Sequence, residues 1–463
     1  MRRFLAAMLP AVLGGCAATP GPPIDVAVTK SGESWYADFH FPRRARAWGF
    51  VRSSLARVGD QPWRPQSWTI DTPGVRLERR GHYDVLARED GDRLPHWVRI
   101  RFAPFAGQLL TDPDAALAFS DGSIALFTEQ FDAFPLRSAA RAERLPVDLS
   151  GTRASRNPTR VTFADYSGAV LYAGRRVATV SLNDDEGTYI LFGAAEPSAD
   201  GAMTMIIDPK LPGWVAEGLR LDTPDILDRY AAALGPLPAP PPALMVSWAG
   251  PTPRLTSMRG SVQPGLMAMT YEGDGVLLPS EALFSRTLWF IAHEGAHFWL
   301  GEAVTYQYSR DAWITEGGAD LLAFRTVAEV DPGYDARAAL QEAVEECVAL
   351  TAGHGVASAE QRGEQRAYYA CGALFGLAVE AASDRPFSEF VRRLIAENRA
   401  DRVVTRADWM AAAAAATGDP ALVAAIGRLL DRGAEDPKVA LAALFTRAGI
   451  AFVPAADGTP VLQ

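Results

Sequence analysis

The sequence predicts an α+β chain of several domains: an antiparallel, sandwich-like β region, then a mainly helical domain, then a short helical tail. Three observations carry this. At 463 residues the chain is longer than one hydrophobic core organises, so two or three domains are expected. Its first half holds many short stretches with period-two or aromatic-rich patterning, separated by Gly, Asp, Asn and Pro clusters. From residue 283 onward it reads as a succession of helices, including the strong helix former Ala411 to Ala416.

With 48% apolar and 22% charged residues the composition is that of an ordinary globular protein. The net charge of -10 argues against a nucleic-acid partner, which would call for a basic surface. At the N-terminus, Arg2 and Arg3 precede the apolar run Phe4 to Leu13, too short for a membrane span and suited to a secretory signal. Its end, Leu13-Gly14-Gly15-Cys16, resembles a bacterial lipobox. Residues 1–15 are then a signal peptide, and Cys16 is the lipidated first residue of the mature chain. Residues 16–33, containing Pro and Gly, read as a tether to the membrane. Ala17 is not an aspartate, so the expected location is the periplasmic face of the outer membrane.

Residues 34–210 form the β-rich region. Trp35-Tyr36-Ala37-Asp38-Phe39-His40-Phe41 is aromatic-rich, and Trp97-Val98-Arg99-Ile100-Arg101-Phe102 alternates as a strand with one wet face does. Further strands are expected at 120–127, 159–164, 169–173, 176–182, 188–193 and 202–207. His40, His82 and His96 lack partners at ligand spacing and read as ordinary strand histidines.

Residues 211–384 form the second domain and 385–463 the tail. Thr223-Pro224-Asp225 has the chemistry of a helix start: a capping hydroxyl, a proline, then an acid. That helix is expected to run to Leu234, with Pro238 to Pro242 as a stiff connector and Leu244 to Trp248 as a strand. Helices are expected at 283–303, 313–331, 335–352, 359–383, 386–397, 406–416, 420–432 and 436–448. Cys347 and Cys371 fit either a disulfide in an oxidising compartment or two buried thiols. Without a Cys-x-x-Cys, a thiolate metal site is not indicated.

The chemistry sits in Ile291-Ala292-His293-Glu294-Gly295-Ala296-His297. Histidines at i and i+4 share one helical face and can reach a single metal ion, with Glu294 placed beside it as a general base. The apolar run Leu288 to Ala292 rules against a wet helix, where two solvated histidines would mean nothing. Catalytic zinc takes three protein ligands. Glu316, eighteen residues beyond His297 in Trp313-Ile314-Thr315-Glu316-Gly317, can return on an antiparallel helix as the third.

This pattern, with Gly301 and Val304-Thr305 between the helices, resembles the aminopeptidase-N family of gluzincin zinc peptidases. The resemblance spans roughly 222–400 and implies a thermolysin-like catalytic domain behind a β domain, with one zinc ion held by His293, His297 and Glu316. It implies that Asp320 orients the first zinc histidine, as an aspartate does in thermolysin. It also implies that Tyr369, in Tyr369-Ala370-Cys371-Gly372-Ala373, donates to the oxyanion; Tyr368 is the competing choice. Cys371 stands where the family carries lysine. The family's Gly-x-Met-Glu-Asn loop, whose glutamate grips a free amino group, is replaced by Gly260-Ser261-Val262-Gln263-Pro264-Gly265-Leu266. Val262 at the glutamate's position cannot pair with an ammonium group, although Glu272 offers a substitute carboxylate.

The expected function is therefore peptide-bond hydrolysis with Glu294 as base and Tyr369 as oxyanion donor, on a peptide or protein substrate. An aminopeptidase with a non-standard amine-binding group is one alternative. A binding or assembly lipoprotein that kept the fold without turnover is the other. His354 is a loop histidine with no role.

Overall fold

The computed structural model describes residues 22–147, 149, 157–183, 187–200, 203–237 and 242–463. The signal segment, Cys16 and the connector residues 238–241 lie outside them. The architecture is α+β, with β-sheets in the N-terminal half and helices in the C-terminal half. Among the described residues no helix is long and apolar enough to cross a membrane.

Three sheets make up the N-terminal region. A six-stranded sheet has the order Thr179–Asn183, Thr159–Asp165, Ile24–Ser31, Ser34–His40, Trp97–Phe102, Trp68–Ile70. Its pairings are antiparallel except for Ile24–Ser31 beside Thr159–Asp165. A four-stranded sheet (Ala133–Leu136, Ala47–Phe50, Tyr83–Arg88, Val75–Arg80) and a five-stranded one complete the region. The six-stranded sheet corrects one expectation. Ile24–Ser31 falls within the stretch read as tether, yet it is an interior strand: Ile24, Val26 and Val28 bury on one face while Asp25 and Ala27 alternate outward. Three prolines and a glycine just upstream, Pro20 to Pro23, masked this period-two signal.

A further five-stranded sheet runs Ser198–Asp200, Met203–Ile207, Ala243–Trp248, Leu266–Glu272, Ser257–Gln263. Met203–Ile207, grouped by sequence with the β-rich region, pairs in parallel with Ala243–Trp248. Ser257–Gln263 forms the outer edge, antiparallel to Leu266–Glu272. Arg259 on this edge strand reaches Asp114 of the N-terminal region at 2.9 Å, with both side chains nearly buried. Breaking such a pair would strand one buried charge.

The longer helices are α1 (Gly213–Leu234), α2 (Glu281–Ala296), α3 (Trp313–Val330), α4 (Ala336–Leu350) and α5 (Arg366–Ser383). They are followed by α6 (Phe387–Glu397), α7 (Arg406–Thr417), α8 (Pro420–Arg432) and α9 (Pro437–Ala448). Helix α1 starts ten residues before the expected cap and carries Pro224 inside it. Burial of Val215, Ala216 and Leu219 against the core outweighs the one backbone hydrogen bond that proline removes. Helix α2 stops at Ala296 rather than 303, because Gly301 then brings the chain back against the His297 carbonyl: a Cβ there would sit 2.7 Å from that oxygen. The expected 359–383 helix is interrupted at Gly363, whose φ of 72° ends a short first turn.

Two close contacts fix α5. Cys347 on α4 and Cys371 on α5 form a disulfide, which settles the choice the sequence left open. Helices α3 and α5 meet backbone to backbone: a Cβ on Gly317 would lie 2.3 Å from Gly372, and one on Gly372 would lie 2.4 Å from the Trp313 carbonyl. Gly372→Ala is therefore expected to lower stability by about 1–3 kcal/mol through overpacking, measured as a drop in the thermal unfolding midpoint.

Candidate metal centre

Helix α2 starts at a Ser280 cap, whose hydroxyl accepts from the Leu283 amide at 3.3 Å. Leu288, Ile291, Ala292 and Ala296 bury in the core, and Tyr230 of α1 donates its hydroxyl to the Ala292 carbonyl at 2.8 Å. That packing fixes the helical face that carries His293 and His297. Both imidazoles are buried. Helix α3 then presents Glu316 from its first turn, where an acid also suits the helix dipole.

The ligand atoms of His293, His297 and Glu316 all lie within 4.8 Å of one another, a grouping that could hold a metal ion. The His293 and His297 Nε2 atoms are 3.2 Å apart. Glu316 Oε2 lies 3.6 Å from the first and 3.4 Å from the second. Three ligands bound at about 2.0–2.2 Å in tetrahedral geometry would be separated by about 3.3–3.6 Å. The spacing fits.

Hydrogen bonding makes the same point. His297 Nδ1 lies 2.9 Å from the Leu300 carbonyl, which can only accept, so Nδ1 carries the proton. His293 Nδ1 lies 2.8 Å from Asp320 Oδ1 and donates to that carboxylate. Both Nε2 lone pairs then face each other, an arrangement a shared cation relieves. Burial alone would lower the His293 pKa, but the Asp320 bond, with Glu316 and Glu294 nearby, raises it to about 10. Burial opposes ionisation of Glu316 too, yet the two histidines hold its carboxyl well below the usual range. A cation bound there would require both imidazoles neutral and Glu316 ionised.

Around this cluster, burial raises the Glu294 carboxyl above its ordinary value, against the pull of His293 and His297, with Val262 of the edge strand close by. Tyr369 lies beside Glu316, and its ring stacks on His293 with centroids 5.5 Å apart. Burial, then the charges of Glu316 and Glu294, push its phenol well above the usual range, so it stays a donor. Tyr368 points elsewhere: it is buried, and its hydroxyl accepts from the Glu360 amide at 3.4 Å. The structure thus brings together His293, Glu294, His297, Glu316, Asp320 and Tyr369. Glu272 is engaged outside the cluster, by the Thr252 hydroxyl at 2.7 Å and by Arg259 at 3.5 Å.

Some contributors escape sequence reasoning. The Leu300 carbonyl that sets the His297 tautomer depends on the chain turning at Gly301. Arg366 lies over the Tyr369 ring at 4.9 Å; its place one turn earlier on α5 is a signal the sequence does contain. Glu346, which holds Arg366, is twenty residues away and gave none.

Compared with known proteins, the chain matches no family profile and no curated sequence. Solved structures do match. Native leukotriene A4 hydrolase from yeast superposes with a TM-score of 0.51 at 13% identity, covering 89% of this chain and 68% of that one. A second structure, from Saccharomyces cerevisiae, gives 0.51 at 11% identity over 90% and 68%. The chain has the fold of leukotriene A4 hydrolase. A two-domain M1 zinc metallopeptidase bound to L-arginine is also similar, with a TM-score of 0.48 at 16% identity over 90% of this chain and 95% of that one. At such identities the likeness speaks to the fold; function is argued from the side chains.

Proposed function

We propose that this protein is a zinc-dependent peptidase. The observation that carries the reading is the convergence of three metal-ligand atoms, a half-buried carboxyl and a phenol on one spot. His293, His297 and Glu316 hold one zinc ion, and Asp320 fixes the tautomer and ring orientation of His293. When bound, zinc lowers the pKa of a water molecule and polarises the scissile carbonyl.

The chain's own residues do the rest. Glu294, its pKa raised by burial, takes the proton of the attacking water and hands it to the leaving nitrogen. Tyr369 donates its O–H to the carbonyl oxygen as that carbon becomes tetrahedral. The Gly317–Gly372 contact keeps Glu316 and Tyr369 on facing turns, so ligand and donor share one frame.

Specificity departs from a strict aminopeptidase. Val262 offers no charge to an ammonium group, and Glu272 is already paired. The test is one peptide with a free and with an acetylated N-terminus. Cleavage rates within about tenfold of each other are expected, since no buried ion pair to the amine is lost. Strict dependence on the free amine would refute this part of the reading. Metal analysis should also find about one zinc per chain; well-folded protein that binds none sinks the whole proposal.

The chain is further proposed to be a lipoprotein, anchored through Cys16 on the periplasmic face of the outer membrane. The lipobox-like Leu13-Gly14-Gly15-Cys16 supports this. Cys16→Ala is expected to move the protein from the membrane to the soluble fraction; an unchanged distribution would overturn it.

A further inference from the structure

Tyr369 is held from both sides by two adjacent residues of one neighbouring helix. Three residues before it on α5, Arg366 places its guanidinium over the Tyr369 ring, 4.9 Å from the centroid. Both carboxylate oxygens of Glu346 on α4 accept from Arg366, at 3.0 Å from Nε and 2.7 Å from Nη2. Two residues after Tyr369, Cys371 is bonded to Cys347, the residue next to Glu346. So Glu346 and Cys347 reach α5 at positions 366 and 371 and bracket the tyrosine between them.

The two bonds differ in character. The disulfide is buried. The Glu346–Arg366 pair is half exposed, with side chains 32% and 54% accessible, where an ion pair adds little stability. Its fork geometry still fixes orientation, because two parallel N–H···O bonds allow one relative placement of the groups. A pair that contributes little stability but points a cation at a ring is better explained by what it positions.

We propose that Glu346, Arg366 and the Cys347–Cys371 disulfide are positioning residues, forming a two-point clamp by which α4 holds the Tyr369 phenol against the metal cluster. The inference rests on the peptidase reading in giving Tyr369 a role in turnover. The clamp itself is a statement about where the side chain sits. Misplacing a reacting group by about 1 Å can lower a rate about 100-fold, so a loosened clamp shows in kcat. KM, set by contacts elsewhere, stays nearly constant.

The test uses the full chain loaded with zinc. Glu346→Gln, the double variant Cys347→Ala with Cys371→Ala, and each of these combined with Tyr369→Phe are assayed for kcat and KM on one peptide. In parallel, 3-fluorotyrosine is placed at position 369 and its 19F resonance recorded with and without each clamp substitution. The expected result is a loss of about 10- to 100-fold in kcat for each clamp variant, no further loss in the Tyr369→Phe background, and a 19F line that broadens or splits. Equal losses in both backgrounds would mean that the residues act elsewhere, and no loss in either would mean that they do not act; each overturns the clamp. Should the double cysteine variant fail to fold, Glu346→Gln decides alone. If Tyr369→Phe keeps full activity, the oxyanion role fails, and the 19F line still judges the clamp: a narrow line in Glu346→Gln removes it.

Discussion

Glu294→Gln is expected to keep its metal ion and to lose about 10²–10⁴-fold in kcat, the range that general acid–base catalysis supplies. The amide is nearly isosteric with the carboxyl, and Glu294 is not among the three grouped ligand atoms, so metal content has no reason to change. A glutamine cannot accept the water's proton. The change is local, and KM stays within a few-fold. Metal content by mass spectrometry and steady-state kinetics on the same preparation settle it. A variant that turns over at the wild-type rate would place the base elsewhere.

Removing the metal is expected to have the second large effect. A chelator abolishes hydrolysis, with a loss of about 10³-fold or more, because polarisation of the carbonyl and activation of the water disappear together. Zinc added back restores the rate. Stability falls in the same experiment: an ion that binds only the folded chain contributes about 4 kcal/mol at a thousandfold excess over its dissociation constant. Without it, two buried imidazoles and the Glu316 carboxylate are crowded within a few ångströms with no cation between them. Activity that survives complete metal removal, confirmed by elemental analysis, would rule out the zinc mechanism.

The centre was legible in sequence because its logic is local. His293 and His297 lie one turn apart, Asp320 lies one turn beyond Glu316, and helix periodicity turns those spacings into shared faces. The eighteen-residue return to Glu316 needed the resemblance as well, since nothing local dictates that α3 packs beside α2. Preferring Tyr369 over Tyr368 required the same support, because adjacent residues differ only in which way the helix is turned.

What stayed hidden is long-range or a contest between signals. Pro224 looked like a beginning because proline chemistry is strong locally; the apolar stripe of α1 on both sides of it is stronger in sum. Ile24–Ser31 sits between a local hairpin partner, Ser34–His40, and a parallel partner more than a hundred residues away, and only the first of these is within reach of local patterning. The Glu346–Arg366 pair and the disulfide close over twenty and twenty-four residues, distances at which sequence patterning carries no phase.

The glycine contact between α3 and α5 also limits how this protein can breathe. With no side chains in the gap, there are no rotamers to hop and no slack to take up, and the main chains bear directly on each other. Glu316 and Tyr369 are thus mounted on one stiff block, which the disulfide extends to α4. The hairpin of Ser257–Gln263 and Leu266–Glu272 is held differently, through side chains such as Arg259 on Asp114, and its outer edge has no strand beside it among the described residues. Loosening that hairpin would leave the α3–α5 block, and with it Glu316 and Tyr369, in place.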